Sequence, residues 1–129
     1  MRSRYTAFRT GAVDHLLRTH RGAAGDSRAR DGLRRTIAET DWLALTVLGA
    51  RKGGTGDATG TVDFVAAFRP KAGALQGAAP VEQMHERSRF VREEGRWLYT
   101  DGDALPAYRP ARNDPCWCGS GRKAKHCHA

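Results

Sequence analysis

Val62-Asp63-Phe64-Val65-Ala66-Ala67-Phe68-Arg69 sets Val62, Phe64, Ala66 and Phe68 against Asp63, Val65, Ala67 and Arg69. A repeat of two is the period of a β-strand, whose successive side chains point to opposite faces. Upstream, Leu43 to Ala50 is a short apolar run rich in β-formers, and the glycine-dense stretch Gly53 to Gly60 joins it to this strand, so the pair predicts a long hairpin. Downstream, residues 84–92 and 96–101 predict a second hairpin turning at Glu93-Glu94-Gly95. Alternation there places Glu86, Ser88 and Phe90 on one face and His85, Arg87 and Arg89 on the other. Residues 70–81, with two prolines, two glycines and four alanines, read as the loop between the hairpins.

Ahead of the strands the period lengthens. Tyr5, Phe8, Ala12 or Val13, and Leu16 share one face at three- and four-residue spacing, which predicts helix over 2–20, divided at Gly11. Residues 21–30 lack an apolar period and read as a loop, and Asp31 is expected to cap a third helix to about Thr40 with Leu33 and Ile37 inward. Three helices followed by four strands give an α+β fold, a curved antiparallel sheet with the helices on one face. No helix separates the hairpins, which disfavours a ferredoxin-like fold. The order suits a nuclear transport factor 2-like (NTF2-like) cone, in which the sheet wraps around the N-terminal helices. Residues 102–112 read as a linker, and the chain divides into a cone domain at 1–108 and a small module at 109–129.

The 129 residues are 40% hydrophobic and 28% charged, with 22 Lys+Arg against 14 Asp+Glu for a net charge of +8. That composition excludes a disordered chain, and no apolar run is long enough for a membrane helix. Residues 1–10 lack the apolar core of a signal peptide, so a cytoplasmic protein is expected. The charge is +6 over residues 1–35, −2 over 36–108 and +4 over 109–129, so a basic front and a basic tail flank a nearly neutral middle. Clustered positive charge suits a phosphate backbone or an acidic protein. Most of these bases are Arg in a chain rich in Ala and Gly, the skew of GC-rich coding, so charge alone does not assign a nucleic-acid partner.

The tail reads Arg112-Asn-Asp-Pro-Cys-Trp-Cys-Gly-Ser-Gly-Arg-Lys-Ala-Lys-His-Cys-His128 and holds all three cysteines of the chain. An odd number of cysteines lying this close together does not suit a disulfide framework, whereas it suits metal ligation. Cys116, Cys118, Cys127 and His128 are the expected ligands, with His126 the competing fourth donor. Three thiolates and an imidazole satisfy the tetrahedral preference of zinc in a closed, structural site. Asn113-Asp114-Pro115 turns the chain toward the first pair, and Gly119-Ser120-Gly121 lets it reverse around the metal. So short a segment has no useful core of its own, and metal binding is expected to supply most of its folding free energy.

These residues resemble the SEC-C motif, the zinc module at the C-terminus of the SecA translocation ATPase. All four ligand positions and both turn elements are present, with Trp117 where that motif most often has Pro, and a Cys-His ending, a variant seen beside Cys-Cys. The segments Met1-Arg-Ser-Arg-Tyr-Thr-Ala-Phe8, Asp14-His-Leu-Leu17, Trp42-Leu-Ala-Leu45, His85-Glu-Arg-Ser-Arg-Phe90 and Gly95-Arg-Trp-Leu-Tyr99 resemble the YchJ-like family of uncharacterised bacterial proteins. That resemblance implies an NTF2-like domain joined to a SEC-C motif. Many members carry a second SEC-C motif ahead of the Arg-Ser-Arg-Tyr segment, which this sequence does not contain. The likeness to SecA also implies a docking role: a SecB-like chaperone or the ribosome as partner, engaged through Arg122, Lys123 and Lys125.

No nucleophile triad, phosphate loop or second metal spacing stands in the sequence, so no catalytic residue is assigned. A cone of this type can enclose a ligand pocket, and Tyr5, Asp14, His15, Trp42, His85, Glu86, Trp97 and Tyr99 are the candidates to line it. The competing expectation for 84–92 is salt bridges and packing, with Phe90 buried. Three functions follow: a non-enzymatic adaptor docking through its zinc tail, a hydrolase or isomerase using the cone pocket, or an RNA-binding protein using the Arg-rich front. A homodimer through the sheet is compatible with each.

Overall fold

Glu94 and Gly95 both take positive φ, at 51° and 76°, the backbone twist that a two-residue hairpin turn needs to match its flanking strands. They join β3 (Glu82–Glu93) to β4 (Arg96–Ala104), and β1 (Thr40–Lys52) and β2 (Thr59–Pro70) form the other hairpin. In this computed structural model, which describes residues 1–71 and 80–128, the four strands make one antiparallel meander in the order β1-β2-β3-β4. The expected loop at 70–81 falls largely on 72–79, outside the described residues. No described helix is long and apolar enough to cross a membrane.

Three helices precede the sheet: α1 (Arg2–Thr10), α2 (Val13–Arg18) and α3 (Ser27–Glu39). Gly11 ends α1 in the left-handed region at φ 80°, with its N–H donating to the Ala7 carbonyl, so the break expected there is a glycine C-cap. Helix α2 stops two residues earlier than its periodicity suggests. Thr19–Arg21 instead pairs with β4, where the Tyr99 N–H donates to the Thr19 carbonyl (2.7 Å) and the Arg21 N–H to the Tyr99 carbonyl (2.9 Å). Backbone groups beside a sheet edge gain more from that ladder than from one further helical turn.

Helix α3 begins before the expected cap at Asp31. Asp26 is the N-cap, its carboxylate accepting from the Arg28 and Ala29 N–H groups at 2.9 and 3.2 Å. The first turn, Ser27-Arg28-Ala29-Arg30, is polar and carries no apolar period, which hid it from a reading based on hydrophobic spacing. Replacing Asp26 by Ala leaves two helix N–H groups without this acceptor. A loss of about 1 kcal/mol is expected, read as a fall of about 4 °C in Tm.

The sheet is apolar on both faces. Trp42, Leu45, Phe64, Ala66 and Phe68 face the helices, with Trp42 lodged between Phe8 (ring centroids 5.8 Å apart) and Phe68 (5.4 Å). Ala7, Leu16 and Leu17 close this layer from above. On the opposite face Val65 and Ala67 are fully buried, and what covers them is the C-terminal tail: Cys116 and Trp117, flanked by Leu43, Ala44 and Tyr108. The rest of that face carries ion pairs, Arg87 with Asp63 (2.7 Å) and Arg89 with Asp101 (2.7 Å) and Asp103 (2.5 Å). Phe90, on the helix side, is buried at 9% exposure.

Candidate metal centre

Strand β3 anchors the approach to the tail. The Leu105 N–H donates to the His85 carbonyl (2.8 Å), His85 Nδ1 donates to the Pro106 carbonyl (2.6 Å), and Gln83 exchanges two hydrogen bonds with the Tyr108 backbone. The stretch expected as a free linker is thus strapped along the outer face of the sheet. From Arg112 the chain folds back on itself: Lys125 N–H donates to the Arg112 carbonyl (3.1 Å), Ala124 N–H to Asp114 (2.8 Å), and Cys116 N–H to Arg122 (2.8 Å). Gly119 and Gly121 make the reversal at φ 82° and 81°. At Gly119 a side chain is excluded twice over, because a Cβ would also lie 2.8 Å from the Ala44 Cβ on β1.

This reversal gathers Cys116, Cys118, Cys127 and His128, whose donor atoms all lie within 4.8 Å of one another, close enough to hold one metal ion. His128 Nδ1 is 3.2 Å from both the Cys116 and Cys127 sulfurs, and the Cys118 and Cys127 sulfurs are 3.5 Å apart. His126 belongs to the short 3-10 turn Ala124–His126 and is not part of the group. Burial pushes the Cys116 thiol up. Burial also opposes ionisation of Cys118, but the Ser120 hydroxyl and N–H, with the Cys127 and Cys116 sulfurs, outweigh it and bring that thiol to about 6. A set holding a thiol with that tendency toward thiolate is chemically suited to a cation. Four protein donors leave no open coordination position for a substrate, which is the arrangement of a structural site.

The tail is not a module without a core. Cys116, Trp117 and Ala124 are 5%, 8% and 2% exposed, and the first two belong to one cluster with Val65 and Ala67. The Trp117 ring lies 4.8 Å from the His128 ring. The sheet's outer face supplies the apolar surface that so short a segment lacks by itself. Of the expected docking charges, Arg122 and Lys123 are exposed and Lys125 is half-buried.

The eight residues expected around one pocket divide among several places. Tyr5, Trp42, Glu86 and Tyr99 line a cavity of about 360 Å³ between the helices and the sheet. Trp97 lines a neighbouring cavity of about 290 Å³. His85 lies on the opposite face, beside Tyr108, because adjacent strand residues point to opposite sides. Asp14 is exposed and pairs with Arg30 at 2.8 Å, while His15 is half-buried with its Nε2 3.2 Å from the Ser3 hydroxyl on α1; Leu16 and Leu17 take the buried side of α2. The hydrogen bond from Arg30 holds the Asp14 carboxyl below the usual carboxylate range. Arg4, absent from the expected set, lines both cavities at 7% exposure. Its place in the sequence held one clue, a three-residue spacing from Ala7 on the buried side of α1.

Comparison with known proteins agrees with this architecture. Residues 1–102 match the family described as the YchJ middle NTF2-like domain, and residues 112–129 match the SEC-C motif. A UPF0225 protein of Shewanella sp. (strain ANA-3) is 38% identical over 129 residues, covering 98% of this chain and 74% of that protein. The solution structure of a SEC-C motif containing protein from Rhodopseudomonas palustris aligns with a TM-score of 0.67 at 36% identity, covering 82% of this chain and 76% of that one. A crystal structure of a SEC-C motif containing protein from Psychrobacter arcticus aligns with a TM-score of 0.61 at 27% identity, covering 99% and 70%.

Proposed function

The chain belongs to the YchJ family, with an NTF2-like domain joined to a SEC-C motif, and from that premise we propose that it is a zinc-binding, non-enzymatic adaptor of the cytoplasm. The observation that carries this reading is the closed Cys₃His group seated on the outer face of the sheet. Zinc bonded to sulfur at about 2.3 Å and to nitrogen at about 2.0 Å needs donor–donor edges of about 3.5–3.8 Å. Three of the six donor pairs, at 3.2–3.5 Å, lie near that range, and all six fall within 4.8 Å. Cys116, Cys118 and Cys127 would hold the ion as thiolates and His128 through Nδ1. When bound, the ion supplies a fixed crosslink between the two ends of the tail.

That crosslink gives the tail charges a fixed geometry. Arg122 and Lys123 are exposed on the strand-like return of the tail, whose backbone pairs with Cys116 and Pro115, and Lys125 is half-buried beside them. A rigid basic patch suits an acidic protein surface, such as that of a SecB-like chaperone, and the ribosome is the competing partner. Reversing the three charges (Arg122→Glu, Lys123→Glu, Lys125→Glu) is expected to abolish capture of a SecB-type chaperone while leaving one zinc per chain by metal analysis. Capture that persists in the triple variant would remove the tail as the docking surface. Capture of ribosomes in place of the chaperone, lost in the same variant, would reassign the partner.

A further inference from the structure

Arg4 ties α1 to the end of α2 through one guanidinium nitrogen only. It is 93% removed from solvent, and no carboxylate among the described residues pairs with it. Its Nη1 donates to the Leu16 carbonyl (3.0 Å) and the Thr19 hydroxyl (2.7 Å), and its Cζ lies 4.9 Å from the centroid of the Tyr99 ring. The other guanidinium nitrogens have no acceptor among the described residues. Unlike Tyr5 Oη and Trp42 Nε1, these nitrogens are not sealed in the interior and keep access to solvent. Arg4 lines both cavities beneath the helices, so the vacant side of its fork adjoins space.

The larger cavity, about 360 Å³, has a consistent chemical character. Its walls are aromatic and aliphatic: Tyr5, Phe8, Trp42, Phe64, Met84 and Tyr99. Two of these residues carry buried hydrogen-bonding atoms with no partner among the described residues, Tyr5 Oη and Trp42 Nε1. The unmet groups include the donors of Arg4 and the indole N–H, so the complement is an acceptor with an apolar body. Glu86, on the same wall, is occupied within the protein, taking the Ser88 hydroxyl at 2.6 Å and the Tyr99 hydroxyl at 3.4 Å. Its carboxylate admits a single negative charge beside Arg4 and repels a doubly charged phosphate ester. Gly102 keeps Glu86 in that position, since a Cβ there would lie 2.5 Å from the Glu86 carboxyl group.

We propose that the cavity beneath α1 binds a small monocarboxylate with a one-ring or short-chain apolar body, its carboxylate on Arg4 and its body against Trp42, Phe8 and Tyr99. A guanidinium is the side chain best shaped to pair a carboxylate through two parallel hydrogen bonds. The cavity volume lies at the small end of known ligand sites, which sets the limit on ligand size. This site is independent of the zinc tail, which lies on the other face of the sheet.

Benzoate is the probe, titrated into the metal-loaded full chain and followed by calorimetry and by two-dimensional NMR. Saturable binding is expected, with shifts at the Trp42 indole N–H and at Tyr99, while benzyl alcohol and phenyl phosphate bind at least tenfold more weakly. Arg4→Gln should weaken benzoate by more than tenfold. Because that variant also alters an internal strut, Glu86→Gln provides the second arm: with the repulsion removed, benzoate should bind severalfold more tightly and phenyl phosphate should gain more. The proposal is overturned if benzoate fails to saturate at millimolar concentration, if benzyl alcohol binds equally well, or if Glu86→Gln weakens benzoate.

Discussion

Stripping the metal with a strong chelator is expected to lower the Tm of the entire chain by about 10–20 °C, well beyond the local unravelling of residues 112–128. Little else holds that segment. Its backbone is closed by a few hydrogen bonds, chiefly Cys116 to Arg122, Ala124 to Asp114 and Lys125 to Arg112. Against these stands an ordering cost of about 1–2 kcal/mol per residue. A zinc ion in a comparable small module contributes about 10–16 kcal/mol, enough to decide the balance. Once the tail is released, Val65 and Ala67, both at 0% exposure, face water together with the inner sides of Leu43 and Ala44. Uncovering a valine and its neighbours, and freeing Trp117, amounts to about 3–5 kcal/mol at the usual coefficient for apolar area. A chain of this size loses about 3–5 °C per kcal/mol. Calorimetry with and without chelator, and of Cys118→Ser, measures it. An unchanged Tm after complete metal loss would mean that the tail stays docked without its ion.

Such coupling was only half legible in the amino-acid sequence. Cys116, Cys118, Cys127 and His128 mark a candidate metal centre by residue type and spacing, because ligation is a local chemical requirement. What the tail rests on is a long-range fact. Its trace lay in the strand that first suggested the sheet: Val65 and Ala67 occupy the face where a half-exposed strand should be polar, as Asp63 and Arg69 are. Two apolar residues on the outer face mean that something covers it. Strand β1 concealed the same signal, because irregularities in its pairing at Trp42/Ala44 and Val47/Gly49 interrupt the alternation, leaving an undifferentiated apolar run.

The candidate pocket was less legible, for a different reason. Strand alternation correctly separates His85 from Glu86, but nothing in a one-dimensional pattern says which face the helices cover. Asp14 and His15 are chemically capable residues, yet neither lines the two cavities beneath the helices, because Leu16 and Leu17 make the stronger claim on the interior. Arg4 escaped notice because arginine on a helix is ordinarily a solvent-facing residue. Its burial depends on the Leu16 carbonyl and the Thr19 hydroxyl, which approach only after α2 folds back across α1. The early cap at Asp26 is the mildest case: the signal was present, but no apolar period followed it.

Trp117→Ala should cost about 3–5 kcal/mol, a large part of the 5–15 kcal/mol that ordinarily separates folded from unfolded states. The indole is 8% exposed and packs with Cys116 against Val65 and Ala67 at the interface between tail and sheet. Nothing nearby can collapse to fill the space it would leave: Val65 and Ala67 are fixed by pairing on both sides of β2, and the Cys116 backbone is fixed by its N–H bond to the Arg122 carbonyl. The substitution also removes the wall against which His128 stands, ring to ring at 4.8 Å and tilted by 35°. Groups that orient a ligating histidine typically change metal affinity by about 10–100-fold when lost. Two readouts should therefore move together, a Tm lower by about 10–20 °C and zinc affinity weaker by at least tenfold. Trp117→Phe, which keeps an aromatic wall and loses part of the volume, should recover most of the affinity and about half of the stability. If Trp117→Ala lost less than about 1 kcal/mol while retaining its metal, the tail would have to stand away from the sheet in solution, and the shared core described above would be wrong.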